Sequence, residues 1–380
     1  MISDRIRVLV IIGQNGVGGA ERQLVHLVKY RDRERFEYAV AVLNPRDGDT
    51  IDDLLLDAGA TVVHATSSSA LRRVYSLVRL TRRLQAQVIH SWSSYSNPYA
   101  GLAGRISRVP VRLGSMRNEP GSMTAPRRAL SMGWVSWRLV DTIVVNSSVA
   151  AARLRSFGVP ESRLRHVANG VELLPESGRS VARDALAAYG IVGDDPVVAN
   201  VGNLRPWKNH LLFVDVMGMV IGAVPTARGV MIGRALPGDE SIRDGIQRRV
   251  GELGLSGRVQ LLEGISHASR LMPAFSVLVH TSITEGMPNV VLEAMAARVP
   301  VVAMRVGDLD TVIVNGENGF LVERGDVNGL ASAILRLLDD AALARSIGER
   351  GRQTVARRFG CERMAREIEA VYAESLEGPI

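Results

Sequence analysis

Along the first half of the chain, short β-branched and aliphatic runs alternate with stretches whose apolar residues recur at helical spacing. Residues 7–12 are almost wholly apolar and too short for an ordinary helix, which predicts a strand buried on both faces. A Gly-rich turn follows, Gly13-Gln14-Asn15-Gly16-Val17-Gly18-Gly19, and residues 21–30 then place Leu24, Val25, Leu27 and Val28 on one helical face. Further strands are expected at 37–43, 61–64, 87–90, 111–115 and 142–146, separated by helices at 49–57, 71–84, 99–106 and 127–139. Strands separated by helices run parallel, because each helix carries the chain back to the start of the next strand, with right-handed crossovers.

The pattern breaks at 172–195, where Pro175, Ser177, Gly178 and Gly193 mark a domain linker interrupted by a short helix at 181–189. It restarts with strands at 197–201, 227–232, 259–262, 277–280 and 301–304. Helices are expected at 211–220, 241–253, 268–275, 289–297 and from 327 onward. The expected architecture is therefore two Rossmann-like, doubly wound α/β domains of similar size, 1–172 and 173–361. Ligands of such sheets sit beyond the carboxyl ends of the strands, so two domains facing each other would hold the site in the cleft between them.

Composition narrows the class. A chain of 380 residues with 46% hydrophobic and 22% charged residues is neither disordered nor fibrous. The single cysteine, Cys361, excludes an internal disulfide and fits a reducing compartment. The formal charge is +7, and only Lys29 and Lys208 among the basic residues are lysine. The arginines are scattered and accompany no nucleic-acid-binding motif, so a nucleic-acid partner is not expected. The apolar run 8–12 is too short for a signal-peptide core. The run 211–224 contains Asp215 and is shorter than the ~20 residues a membrane span needs. A cytoplasmic protein is expected, attached at most to the inner face of a membrane. For that attachment there are two basic groups: Arg72, Arg73, Arg79, Arg82 and Arg83 on one helix, and Arg127, Arg128, Trp134, Trp137 and Arg138 further on. Two ordinary crossover helices with solvated arginines are the alternative.

Three segments carry candidate chemistry. Gly16-Val17-Gly18-Gly19-Ala20-Glu21 joins a strand to a helix, where glycines admit a ligand close to the backbone and helix-start amides favour an anion. It is not G-x-G-x-x-G and no acidic residue follows the second strand at the dinucleotide position, so a plain strand–helix turn is its alternative. Arg205-Pro206-Trp207-Lys208 again lies between strand and helix, and a lysine kept in an arginine-biased chain suits a compact ammonium on phosphate. In the segment Thr281 to Ala296, Glu285 lies in a loop, Pro288 and Asn289 suit a helix start, and Glu293 follows one turn inside. Two carboxylates flanking helix-start amides can serve sugar hydroxyls and a phosphate together. A first-turn acid on the helix dipole explains Glu293 passably and Glu285 poorly. Asp308-Leu309-Asp310 is a D-x-D triplet too slight to predict a metal, the seven histidines show no metal-ligand spacing, and Asn169-Gly170-Val171 reads as a turn.

Taken together and in order, Gly18-Gly19-Ala20-Glu21, Asn169-Gly170-Val171, Gly202…Arg205…Lys208, Glu285 with Glu293, and Asn315-Gly316-Glu317-Asn318-Gly319-Phe320-Leu321-Val322 resemble the family 4 retaining glycosyltransferases of GT-B fold, over nearly the whole chain. The resemblance implies a nucleotide-diphospho-sugar donor, no metal or other cofactor, and a C-terminal helix at about 362–380 that crosses back onto the N-terminal domain. It implies that Arg205 and Lys208 hold the diphosphate and that Glu293 binds the ribose. Glu285 with the amides of Gly286, Asn289, Val290 and Val291 would hold the sugar and phosphate, and the Gly18-Gly19 loop would close the phosphate side. The acceptor expected is a saccharide or lipid-linked saccharide of the cell surface.

The sequence departs from the family at its acceptor side. Where a histidine usually stands near the reacting sugar, this chain reads Gly114-Ser115-Met116-Arg117-Asn118-Glu119, and the family's H-x-H is His90-Ser91-Trp92. Thr311 stands where an acid is common after Gly307. Arg117 and Asn118 are therefore expected to orient the sugar or acceptor, with His90 at the strand end. Transfer to a small secondary metabolite, a GT-B-fold sugar-nucleotide epimerase and a catalytically silent nucleotide-sugar binder are the alternatives.

Overall fold

The computed structural model describes residues 5–67, 69–117, 137–173, 178–235, 238–265 and 268–378. The chain divides into two compact units, Met1–Gly170 with Cys361–Ile380, and Val171–Gly360.

The first unit is a seven-stranded sheet: β1 (Ile6–Ile12), β2 (Phe36–Val42), β3 (Thr61–His64), β4 (Val88–Ser91), β5 (Val111–Met116), β6 (Thr142–Val145) and β7 (Leu164–His166). Its order is β3-β2-β1-β4-β5-β6-β7, and every pairing is parallel. The run that read as uninterrupted apolar sequence serves two layers. Val8, Val10 and Ile12 enter one core, and Leu9 and Ile11 enter the core on the opposite face. That is why strict alternation is missing from β1: both faces are covered by helices.

The helix Cys361–Glu377 belongs to this first unit. Its Met364, Ala365, Ile368, Val371 and Tyr372 join the core of Val8 and Val10. The landing point is the Asn169-Gly170-Val171 turn. Arg363 Nη2 donates to Ala168 O at 2.8 Å and Asn169 O at 3.2 Å. The Gln23 amide brackets Gly170 with two bonds of 2.8 Å, accepting from its N–H and donating to its carbonyl. A Cβ on Gly170 would lie 2.9 Å from Cys361 Cα, so only glycine lets the helix start so close.

The second unit is a six-stranded parallel sheet: β8 (Val197–Val201), β9 (Arg228–Ile232), β10 (Val259–Leu262), β11 (Val277–His280), β12 (Val301–Met304) and β13 (Phe320–Val322), in the order β10-β9-β8-β11-β12-β13.

Several expectations are corrected. The strands β7 and β13, three residues each, carry too little apolar periodicity to be foreseen. The short helix expected at 181–189 in the linker segment runs instead over Gly178–Ala187, and it buries Ala182 and Leu186, four apart, in the second unit. Residues Ala268–Ala274 form a 3-10 helix rather than an α-helix, with Pro273 inside it unable to donate to an α-helical ladder. Of the expected helix 127–139, residues 127–136 lie outside the described residues, and Trp137 onward forms a turn.

Among the described residues no helix is long and apolar enough to cross a membrane. The helix Ala70–Leu84 buries Leu77, Val78 and Thr81 and leaves Leu71 and Tyr75 exposed beside Arg72, Arg79, Arg82 and Arg83. In the second basic group, Arg127, Arg128 and Trp134 lie outside the described residues. Trp137 is buried, with the Arg138 and Arg163 guanidinium groups 4.5 and 5.2 Å from its ring centre, so it is a core group and not a surface anchor.

Candidate active site

In the second unit the chain builds outward from β8 through β9 to β10, then returns to place β11 on the other side of β8. This reversal leaves a crevice between β8 and β11 at their carboxyl ends, the position where doubly wound sheets take ligands. The loops leaving these two strands are the two segments singled out for chemistry. They are laced together: Asn200 Nδ2 donates to Val279 O at 2.9 Å and to Thr281 Oγ1 at 3.2 Å. Thr281 Oγ1 donates to Lys208 O at 2.9 Å, and Ile283 N to Trp207 O at 2.9 Å.

This lacing brings Lys208 Nζ within 2.5 Å of Glu285 Oε1. Both side chains are mostly buried, at 20% and 17% exposure. Burial opposes ionisation of Glu285, but the Lys208 ammonium and the nearby His280 ring outweigh it and hold the carboxyl at about 2. His280 ends β11 wholly inside the unit, its Nε2 3.7 Å from Glu285 Oε1; burial lowers its pKa, against the pull of Glu285. Arg205 turns elsewhere, donating from Nη1 to Asp239 Oδ2 at 2.5 Å. The structure thus joins Lys208 to Glu285 and gives Arg205 a carboxylate, Asp239, that sequence reasoning missed.

Two glycines hold the rim by backbone-on-backbone contact. A Cβ on Gly233, just after β9, would lie 2.0 Å from Gly202 O. One on Gly307, whose φ is +57°, would lie 2.2 Å from Gly286 O and 2.6 Å from Glu285 O. Asp308 N donates to Gly286 O at 2.9 Å in the same contact. Of the two, Gly233 directly follows β9 while Gly307 stands beyond the end of β12, and glycines are too many in the sequence for either to mark the contact. The helix Asn289–Ala296 then starts behind Pro288, which supplies no capping side chain, and Val291 N donates to Pro288 O at 3.2 Å. Glu293 is half-buried in its second turn. Of the D-x-D triplet, Asp308 is buried while Asp310 is exposed and pairs with Arg305. Among the described residues no group of three or more His, Cys, Asp or Glu side chains could hold a metal ion.

The first unit has its own reversal between β1 and β4. The Gly loop leaves β1, and the helix Gly19–Lys29 begins directly after Gly18. A Cβ on Gly18 would lie 2.4 Å from Glu21 Oε2, the far end of a side chain that can turn aside. Burial raises the Glu21 pKa, partly offset by its own backbone hydrogen bond and by Arg46. Trp92, after β4, is 2% exposed and donates from Nε1 to Ala20 O at 2.7 Å.

His90 is fully buried. Its Nδ1 lies 2.6 Å from the Tyr372 hydroxyl and its Nε2 2.8 Å from Ser115 Oγ, leaving neither nitrogen for a ligand. Burial and the Arg117 charge hold its pKa well below the usual value, so the ring is neutral. Arg117 follows β5 and lays its guanidinium 3.6 Å from the centre of the Trp92 ring. Asn118 lies outside the described residues. An open depression of about 380 Å³ beyond β2 and β3, lined by Asn44, Thr66, Ser67 and Arg73 among others, was not foreseen.

The family model described as "Glycosyltransferase Family 4" matches residues 17–173, and that of "Glycosyl transferases group 1" matches 182–354. The chain is 30% identical over 356 residues to the lipopolysaccharide core biosynthesis glycosyltransferase LpsE of Rhizobium meliloti, covering 91% of this chain and 93% of that protein. It is 28% identical over 303 residues to the lipopolysaccharide core biosynthesis mannosyltransferase LpcC of Rhizobium leguminosarum, covering 79% and 82%. The crystal structure of Anabaena Alr3699/HepE in complex with UDP and glucose superposes with a TM-score of 0.86 at 21% identity, over 97% of this chain and all of that one. The two doubly wound units are those of the GT-B class. With both halves matched in order and a relative aligned over nearly its full length, the chain belongs to glycosyltransferase family 4.

Proposed function

We propose that this protein is a retaining glycosyltransferase that moves a hexosyl group from a nucleoside-diphosphate sugar to a saccharide or lipid-linked saccharide in cell-surface polysaccharide synthesis. The observation that carries the reading is the Lys208–Glu285 contact at the β8/β11 reversal, in the loop that leads into the helix Asn289–Ala296. Relatives named for lipopolysaccharide core biosynthesis support the acceptor class, and a similar fold holding UDP and glucose supports the donor.

Lys208 and Arg205 serve the diphosphate, with the amides of Asn289, Val290 and Val291. The leaving nucleoside diphosphate gains negative charge as the sugar departs, and fixed cations and amides stabilise that charge more in the transition state than in the ground state. Glu285, ionised throughout the physiological range, accepts from sugar hydroxyls, and Glu293 accepts from the ribose. Front-face attack lets the leaving phosphate oxygen take the acceptor proton. No strong protein base is then needed, and a neutral, enclosed His90 is compatible with the reaction. No divalent metal is called for, since the cations are supplied by the chain.

The test is calorimetric titration with UDP. Wild type binds, and Glu293→Gln weakens binding about tenfold through loss of a charged acceptor, with the fold intact by circular dichroism. Unchanged affinity rejects the ribose role, and absence of UDP binding by wild type rejects UDP as the donor's nucleotide.

Peripheral attachment to an anionic membrane belongs to the same proposal. The exposed face of the helix Ala70–Leu84 supports it, with Leu71 83% and Tyr75 63% exposed among arginines and no acidic residue in the helix. Salt-sensitive co-sedimentation with phosphatidylglycerol vesicles, and none with phosphatidylcholine, is the expected outcome. No binding to either means the arginines are merely solvated.

A further inference from the structure

Arg117 and Asn146 each stand one residue beyond the end of a strand, β5 and β6. Because Met116 and Val145 are register partners, the two are neighbours at the carboxyl edge of the sheet. Arg117 is 7% exposed and Asn146 3%. Nε, Nη1 and Nη2 of Arg117 are all buried without a hydrogen-bond partner, and so is Asn146 Oδ1. The orientation of the Asn146 amide is set by its other end: Nδ2 donates to Arg117 O at 3.4 Å and to Asn169 Oδ1 at 3.2 Å.

Nothing among the described residues neutralises the guanidinium. No carboxylate pairs with it, His90 is neutral, and the Tyr372 hydroxyl is engaged with His90. Burial, opposed only by Tyr372, lowers the Arg117 pKa to about 9, which leaves it cationic at neutral pH. The Trp92 face offers a cation–π contact but no acceptor for the N–H groups. A buried cation with three unmet donors beside a buried unmet acceptor destabilises the free protein. It persists at the edge of a parallel sheet where ligands bind.

We propose that Arg117 and Asn146 form a receptor for an anionic substrate. Arg117 takes a carboxylate or phosphate, and Asn146 Oδ1 takes a hydroxyl beside it. Neighbouring strands lie about 4.8 Å apart, a spacing that an anionic group and a nearby hydroxyl of one pyranose can span. One of the two substrates is then a hexuronate or a sugar phosphate. This rests on the glycosyltransferase reading and adds the substrate's charge to it.

The experiment titrates wild type and Arg117→Met, at matched ionic strength, with D-glucuronate, D-glucose 6-phosphate and D-glucose, following tryptophan fluorescence. In parallel, UDP-glucuronic acid, UDP-glucose and UDP are compared by calorimetry. Wild type should prefer the anionic member of at least one set by about tenfold or more. Preference among the UDP-sugars places the anion on the donor, and preference among the free sugars places it on the acceptor. Arg117→Met should abolish the preference while keeping the affinity for UDP, and Arg117→Lys should retain part of it. Arg117→Met should also melt higher than wild type, because an unpaired buried charge is gone. Should Arg117→Met not fold, Arg117→Lys and Arg117→Gln carry the comparison. The proposal is overturned if wild type shows no preference in either set, or if the preference survives without Arg117. Absence of UDP binding by wild type would instead reject UDP as the donor's nucleotide, and the free-sugar set then decides the proposal.

Discussion

Replacing Lys208 by Ala should lower turnover about 30- to 1000-fold under saturating donor, corresponding to roughly 2–4 kcal/mol of transition-state stabilisation. The lysine meets Glu285 in this structure, and both groups are largely withdrawn from water. The carboxylate holds the ammonium at the crevice, and the arriving diphosphate adds a second anion to the same cation. The variant should also carry a signature in its stability. In wild type the Glu285 carboxyl is depressed to about 2, below its ordinary value of 4.5. Its contribution to stability is therefore complete above pH 4.5 and is lost only as pH falls from there toward 2. Without Lys208 the dominant attraction is gone while burial remains, so the carboxyl moves up. The variant's deficit relative to wild type should then narrow as pH is lowered from 7 to 5. Urea melts at the two pH values read this directly. A constant deficit, or near wild-type turnover, would falsify the role assigned to Lys208.

The second large effect is expected from a residue without a side chain. Gly307→Ala places a methyl group 2.2 Å from Gly286 O and 2.6 Å from Glu285 O, on a backbone with φ of +57°. The left-handed conformation alone costs about 1–2 kcal/mol. Relief of the collision must then push the Glu285–Gly286 loop away from β12, for a total of about 2–4 kcal/mol. Because that loop carries Glu285 to Lys208, turnover should fall by at least about tenfold, as it does when reacting groups are misplaced by an ångström. Gly316→Ala is the control. Gly316 also has a positive φ, +79°, but open space around its Cβ position. It should lose only about 1 kcal/mol and retain activity. Equal activity of the two variants would show that the 286/307 backbone contact does not position the site.

Much of the architecture was legible from local pattern. Runs such as residues 8–12 and 277–280 can only be buried strands, because they are too short for helices and too apolar for loops, and the intervening helical stripes force parallel crossovers. Pro288-Asn289 marked a helix start correctly because fixed φ and a missing N–H suit the first turn whatever surrounds it. Lys208 and Glu285 could each be singled out by residue type and by position after a strand. The fate of Arg205 and His90 could not be read in this way, since nothing local distinguishes a cation awaiting phosphate from one paired with Asp239.

What only the tertiary structure decided is what depends on strand order and on contacts distant in sequence. The return of β11 to the side of β8 made a crevice and joined Lys208 to Glu285, 77 residues apart. The docking of Tyr372 onto β4, 282 residues from His90, turned an apparent acceptor-side histidine into an enclosed core group. Three-residue strands such as β7 and β13 exist because a neighbouring strand is there to pair with, not because their own sequence demands extension. The isolation of Arg117 is likewise a tertiary property: arginine in a sequence is ordinarily a solvated charge, and only the packing of Trp92, His90 and Tyr372 around it removes the water without supplying a partner. Periodicity is written in single segments, whereas electrostatics and desolvation depend on which segments the fold brings together.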